Sequence, residues 1–105
     1  AQEEEAVEII RLGDCSFDIA REELRRGGEI VRLTSAEASL LATLARNTGQ
    51  ALSRERLVAE SLIRGSARTV DVQVTRLRRK IELDPKLPRY LQTVRGQGYV
   101  LRPDR

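Results

Sequence analysis

The sequence of 105 residues contains no histidine, methionine or tryptophan, only one cysteine, and only two tyrosines and one phenylalanine. Without histidine, the chain lacks the commonest general base at neutral pH and the commonest metal ligand. The lone Cys15 cannot form an internal disulfide or a cysteine-rich zinc site, and we expect it to be a small buried apolar side chain. We therefore expect no enzymatic activity, no metal site and no cofactor.

Long apolar runs are also missing from the chain. No segment approaches the roughly 20 apolar residues that cross a bilayer, and no secretory signal pattern is present. We therefore expect a soluble, cytoplasmic protein. The length and the hydrophobic content of 40% suit one domain with a single modest core. We interpret residues 1–8 as the end of a linker or a domain boundary, and residues 9–103 as the domain.

Charge is distributed unevenly along the chain. Residues 1–8 carry four glutamates and no basic residue, so that the net charge of +3 for the whole chain becomes +7 for residues 9–105. A basic domain without membrane-insertion features favours a polyanionic partner, nucleic acid first. A basic surface that only faces solvent is the alternative that composition leaves open.

The first half of the domain shows strand and helix patterns in succession. Short alternating runs over 8–33, with a Gly-Gly turn signal in RGGE at 26–29, predict a small antiparallel sheet. Thr34 and Glu37 then form a capping-box pattern that predicts the start of a helix. The Asn-Thr-Gly sequence at 47–49 predicts its end.

Two more helices are predicted after this stop. Ser53 can cap a short second helix, and the Gly-Ser pair at 65–66 separates it from a third. We expect the third helix to run over about 68–83, because the proline at 85 disfavours helical geometry at the residue before it. A short helix, a turn and a longer basic helix make the helix-turn-helix arrangement.

The third helix has two distinct faces. At about 100° per residue, its apolar residues form one stripe that we expect to be buried: Val70, Val74, Leu77 and Ile81. The opposite face gathers Arg68, Val72, Thr75, Arg76 and Arg79, with Thr69 beside them. Arginine can bind guanine edges or phosphates, threonine can bind either, and a small apolar side chain can contact a thymine methyl group. This mixture indicates a helix that reads the major groove; an ordinary basic surface helix with one stray valine is the alternative.

A hairpin is predicted next, with strands over 91–95 and 99–101 and two glycines between them. Arg95 near its tip can enter a neighbouring minor groove, whose negative potential attracts guanidinium groups. Thr93 and the Tyr99 hydroxyl are placed to bind phosphate oxygens. For Tyr99, packing of the ring against the core is a strong alternative.

Three segments resemble the winged-helix effector domains of OmpR/PhoB-type response regulators. They are LTSAEASLLATLARNTGQALSRERL, RTVDVQVTRLRRKIE and RYLQTVRGQGYVL. With the strand region before them, the resemblance covers nearly all of 9–102. It implies an α+β winged helix-turn-helix fold: an N-terminal four-stranded antiparallel sheet, three helices and a C-terminal β-hairpin wing.

The resemblance also implies roles for individual residues. It implies that Arg68, Thr69, Val72 and Arg76 face the major groove, that Thr75, Arg78 and Arg79 are available to phosphates or groove edges, and that Arg95 enters the minor groove. Arg78 alone departs from the rotation argument. It lies nearer the buried stripe and could reach a phosphate only by extending outward.

The function implied is sequence-specific binding of double-stranded DNA by the output domain of a two-component response regulator that controls transcription. Family members bind direct repeats as head-to-tail homodimers and follow a receiver domain, which we expect upstream. RNA polymerase contact is less strongly implied, because the segment SLIRGSA at 61–67 is short and lacks the tryptophan often found there.

Two other classes of function compete with DNA binding. A protein-interaction winged helix would present its basic face to an acidic partner. A hydrolase using paired carboxylates is disfavoured, because the chain has no histidine and no phosphate-cradling or metal-binding motif.

Overall fold

The computed structural model describes residues 8–61, 63 and 65–104. The elements in order are β1 (Ile9–Leu12), β2 (Cys15–Asp18), β3 (Glu23–Arg26), β4 (Glu29–Val31), α1 (Ser35–Ala45), α2 (Arg54–Glu60), α3 (Ala67–Ile81), β5 (Leu91–Val94) and β6 (Gly98–Leu101). The predicted α+β architecture, with a four-stranded sheet, three helices and a hairpin wing, is confirmed. Apart from Glu8, the linker predicted over 1–8 lies outside the described residues.

The N-terminal sheet is an antiparallel meander in the order β1-β2-β3-β4. Alternation along its strands buries one face, on which Phe17 pairs with Leu24 and with Ile10. Gly27 and Gly28 both have positive φ, of 58° and 90°, and make the tight turn predicted from RGGE. Cys15 is a buried member of the core, as predicted.

Helix α1 begins with the predicted capping box. The Thr34 hydroxyl accepts from the Glu37 amide at 3.1 Å, and the Glu37 carboxylate accepts from the Thr34 amide at 3.0 Å. Every residue over 37–45 is buried. Helix α1 is therefore central to the core, packed against α2, α3 and β6.

Helix α3 buries the predicted stripe of Val70, Val74, Leu77 and Ile81. It ends at Ile81, two residues before the predicted end. The cause is Glu82, which is extended (φ −91°, ψ 143°) and turns its buried carboxylate towards the start of β5. That carboxylate accepts from the amides of 89–91 at distances of 2.7 to 3.3 Å. This long-range contact ends the helix before the proline can act.

The wing is the antiparallel pair β5 and β6. On its other side, β6 is joined to the chain before α2 by two backbone hydrogen bonds between Leu52 and Tyr99, of 2.8 and 3.0 Å. Gly98 makes this approach possible: its φ is 140°, and a Cβ there would lie 1.9 Å from the Leu52 carbonyl oxygen. Within the residues that the structure describes, no helix is both long and apolar enough to cross a membrane.

Candidate nucleic-acid interface

One face of α3 is open to solvent along its whole length. Because the buried stripe holds the helix against the core, the residues half a turn away project outward. The exposed side chains are those of Arg68, Val72, Thr75, Arg76 and Arg79. Val72 is 45% exposed, a large fraction for a valine. We call these five residues the outer face of α3.

The two threonines of α3 differ in accessibility. Thr69 is half-buried, and its hydroxyl lies 2.8 Å from the position that a Cβ on Gly65 would occupy. It therefore packs against the chain that enters the helix. Thr75 is exposed and donates to the Asp71 carbonyl oxygen at 3.0 Å, which leaves its oxygen able to accept a further hydrogen bond.

Arg78 lies between α3 and the wing. Its Nε donates to the Leu91 carbonyl oxygen and its Nη2 to the Thr93 hydroxyl, both at 2.9 Å, and its guanidinium stands 5.7 Å from the centre of the Tyr99 ring. The side chain is half-buried. Two of its donors are thus directed at the wing, which makes Arg78 a connection between the two elements.

Of the two interpretations left open for Tyr99, the structure matches packing against the core. The ring is only 6% exposed, and the hydroxyl donates to Asp71 Oδ1 at 2.5 Å. Burial, and then the hydrogen bond to Asp71, raise the pKa of Tyr99 above its usual value. Because a phenol has one proton to donate, this hydroxyl is already engaged inside the protein and is not directed at a phosphate.

Two other wing residues remain accessible. Thr93 is exposed, and because its oxygen accepts from Arg78, its own proton can be donated to another group. Arg95 is exposed in the turn between the strands. Both border a shallow cleft of about 340 Å³ that lies between the wing and Arg54 and Glu55 at the start of α2. Cationic and hydroxyl groups therefore meet at the side of α3 on which the wing lies.

The opposite flank of α3 is tied to α1. Lys80 Nζ donates to the Glu37 carboxylate at 2.5 Å and to the Arg32 carbonyl oxygen at 2.8 Å. Burial alone would raise the pKa of Glu37, but the hydrogen bonds from Lys80 and the Thr34 amide and the positive charges of Lys80 and Arg76 bring it below its usual value. Arg76 is thus close enough to α1 for its charge to act there.

Sequence reasoning missed the residues that orient this surface. Asp71, Arg54 and Glu82 received no role, although each makes hydrogen bonds between elements. Asp71 offered the one available signal: the helical rotation places this carboxylate on the flank between the buried stripe and the outer face. Its partners lie 17 and 28 residues away in the chain and have no local pattern.

Comparison with known proteins places the chain in a family. The family model described as "Transcriptional regulatory protein, C terminal" matches residues 27–101. The chain belongs to this family. The predicted resemblance to OmpR/PhoB-type winged-helix effector domains is confirmed.

Relatives and solved structures agree with this assignment. Protein PetR of Rhodobacter capsulatus is 48% identical over 103 residues, which cover 90% of this chain and 44% of PetR. The response regulator DrrB of Thermotoga maritima, an OmpR/PhoB homologue, superposes with a TM-score of 0.78 at 33% identity, covering 90% of this chain and 44% of DrrB. The RstA DNA-binding domain of Klebsiella pneumoniae, solved in complex with the RstA box, superposes with a TM-score of 0.73 at 32% identity. The match covers 90% of this chain and 97% of the RstA domain. The chain spans less than half the length of the curated relatives it matches.

Proposed function

We propose that this winged-helix domain binds double-stranded DNA sequence-specifically, as the output domain of a two-component response regulator that controls transcription. One observation carries the proposal: the outer face of α3 points away from the core while Arg95 extends from a wing that is hydrogen-bonded to the same helix. A helix and an adjacent hairpin in this arrangement can engage a major groove and its neighbouring minor groove together.

The outer face would supply both affinity and base preference. Arg68 and Arg79 are placed to neutralise phosphates or bind groove edges, which makes binding fall steeply with salt. Arg76 is suited to a guanine edge and Val72 to a thymine methyl group, while Thr75 can bind either a base or a phosphate. Thr69, half-buried near the helix start, would act at the edge of the groove.

The wing would supply a second set of contacts. Arg95 would enter the minor groove and favour AT-rich flanks, where that groove is narrow and its potential most negative. Thr93 would donate to a phosphate oxygen. Arg78, whose donors point at β5, and Tyr99, whose hydroxyl binds Asp71, would hold these elements in place instead of binding phosphate themselves.

Membership of the family supports the wider setting of the proposal. A receiver domain upstream, head-to-tail homodimers on direct repeats, a cytoplasmic location and a function without catalysis form part of the proposal. The RstA complex supports DNA as the partner, because RstA shares the fold at 32% identity. RNA polymerase contact through 61–67 is the least supported part, and two residues of that segment, 62 and 64, lie outside the described residues.

The test is selection of bound duplexes from a random pool, followed by affinity measurements on the selected site. Arg76→Ala should cost about 1–3 kcal/mol of binding free energy and flatten the preference at one base position, because it removes a bidentate base contact. Arg95→Ala should weaken binding chiefly on AT-rich flanks.

Arg21→Ala is the matched control, because Arg21 is an exposed arginine beside β2 in the N-terminal sheet region. It removes the same charge from a residue that lies outside α3 and the wing. The proposal fails if no sequence is enriched, or if Arg21→Ala costs as much as Arg76→Ala.

A further inference from the structure

Two surfaces can engage one duplex only if the angle between them is fixed. Sites of this kind need their groups held to within about 0.5 Å of the productive geometry. In the described part of the chain, however, the backbone hydrogen bonds that attach β6 outside the wing go to residues 49 and 52 and not to α3. Side chains must therefore set the angle between α3 and the wing.

Arg78 is one side chain that joins α3 to the wing, and Asp71 is a second, which also reaches α2. A single oxygen, Oδ1, accepts from Arg54 Nε of α2 at 2.8 Å and from the Tyr99 hydroxyl of β6 at 2.5 Å. The Arg54 guanidinium also stands 5.9 Å from the centre of the Tyr99 ring. Helix α2, helix α3 and the wing are thus joined at one carboxylate.

The charge of Asp71 is the second part of the argument. It is 40% exposed on a helix that the proposed function places against a polyanion, where a carboxylate by itself opposes binding. Arg54, 49% exposed, compensates this charge and is held in turn by it. A carboxylate at position 71 is explained by the two side chains that it orients, Arg54 and Tyr99.

We propose that Asp71, with Tyr99 and Arg54, is a positioning residue that fixes the wing relative to α3 and so lets Arg95 reach the minor groove while α3 occupies the major groove. The DNA part of this inference rests on the proposed function. The network acts through the orientation of the wing.

The experiment compares Asp71→Asn and Tyr99→Phe with a control, Glu55→Gln. Tyr99→Phe removes only the hydroxyl and keeps the buried ring. Glu55 is exposed on α2 and borders the same cleft, so Glu55→Gln removes the same charge as Asp71→Asn without touching the network. Each variant is measured on one selected core sequence with AT-rich and with GC-rich flanks.

In Asp71→Asn and in Tyr99→Phe, the preference for AT-rich flanks should fall by about threefold or more, a loss within the range expected from one hydrogen bond of ordinary strength. Binding to the GC-flanked core should change by less than about twofold. The double variant should lose less than the sum of the two single losses, because Asp71→Asn weakens the same hydrogen bond that Tyr99→Phe removes. Equal losses on both flanks, or the same loss in Glu55→Gln, would overturn the proposal.

A measurement on the free protein separates this inference from the proposed function. Amide hydrogen exchange over 91–101 should accelerate by about threefold or more in Asp71→Asn and in Tyr99→Phe, and should not change in Glu55→Gln. Unchanged exchange in both variants would overturn the positioning role even if the domain binds DNA. Faster exchange in a protein that selects no DNA would support the network and reject the proposed function.

Discussion

The two flanks of α3 are held by contacts of opposite character. On the α1 flank, Lys80 meets Glu37, whose side chain is only 2% exposed. On the wing flank, Arg54 meets Asp71 in a pair that is nearly half exposed on both sides. Both pairs join elements distant in sequence, but the carboxylate of the first pair is enclosed by protein, whereas both side chains of the second pair are open to solvent.

This difference in burial indicates that the pair on the α1 flank stabilises the fold, whereas the pair on the wing flank orients the wing. Leaving one member of a buried pair without its partner is costly, since the remaining charge has no solvent to compensate it. An exposed pair contributes about 0–1 kcal/mol, because water and salt screen it. The α1 flank therefore supports the fold, while the charged part of the wing flank is free to serve orientation with little effect on the free energy of unfolding.

The largest expected effect tests how much the wing flank contributes to the free energy of unfolding. Its charged pair should contribute little, but its backbone contact with Leu52 should contribute much. Gly98→Ala would place a Cβ 1.9 Å from the Leu52 carbonyl oxygen, in a backbone conformation that side chains rarely adopt. We expect the free energy of unfolding to fall by about 3 kcal/mol or more in urea denaturation, because the wing must separate from the chain before α2.

Gly96→Ala is the control for this effect. Gly96 has a similar need for positive φ, at 80°, but no atom lies within 4 Å of a Cβ there. The Gly96→Ala variant should lose only about 1 kcal/mol of unfolding free energy, which is the cost of the backbone conformation alone. Similar losses in the two variants would show that the close approach to Leu52 does not hold the wing.

The parts of this comparison that could be read from sequence are local. The Thr34–Glu37 capping box, the Gly27-Gly28 turn and the buried stripe of α3 depend on residues within a few positions of one another. Fixed spacing then determines the geometry, and the structure confirms each of them. The outer face of α3 follows from the same rotation.

The parts that could not be read from sequence depend on long-range partners. Glu82 looked like one more helical residue, but its carboxylate accepts from amides seven to nine positions later and shortens α3. The interpretation of Tyr99 as a phosphate donor did not include Asp71, 28 positions away. No spacing rule links such residues, so the orientation of the wing required coordinates.

The second effect concerns the α1 flank. Glu37→Gln keeps the capping hydrogen bond to the Thr34 amide but removes the charge that binds Lys80. We expect a loss of about 1–2 kcal/mol of unfolding free energy at pH 7. The pKa of Glu37 lies below its unfolded value of about 4.3, so this contribution is complete above that pH and is lost as pH falls through the folded pKa.

Urea denaturation of both proteins between about pH 7 and pH 3 measures this prediction. The difference between wild type and Glu37→Gln should be constant near neutrality and should narrow in acid. Glu60→Gln is the matched control, because Glu60 pairs with Arg56 on an exposed surface of α2 and should cost under about 0.5 kcal/mol. Equal losses for the two glutamates would remove the distinction between a buried and an exposed pair.

The smallest expected effect on stability separates the outer face of α3 from its buried stripe. Val72 is 45% exposed and Val74 1% exposed, on the same helix. Val74→Ala should lose about 2 kcal/mol of unfolding free energy through the cavity it leaves. Val72→Ala should stay within about 0.5 kcal/mol of wild type, since alanine is the better helix former and no packing is lost.

For DNA binding we expect the opposite order, in which Val72 matters more than Val74. If Val72 contacts a thymine methyl group, replacing that thymine by uracil in the selected duplex should weaken wild-type binding by about 0.8 kcal/mol, the value of one buried apolar carbon. The same replacement should have a smaller effect on Val72→Ala, because the methyl group has lost its partner, and an unchanged effect on Val74→Ala. If uracil weakens all three proteins equally, the thymine is read by another residue, and the exposure of Val72 has no part in base recognition.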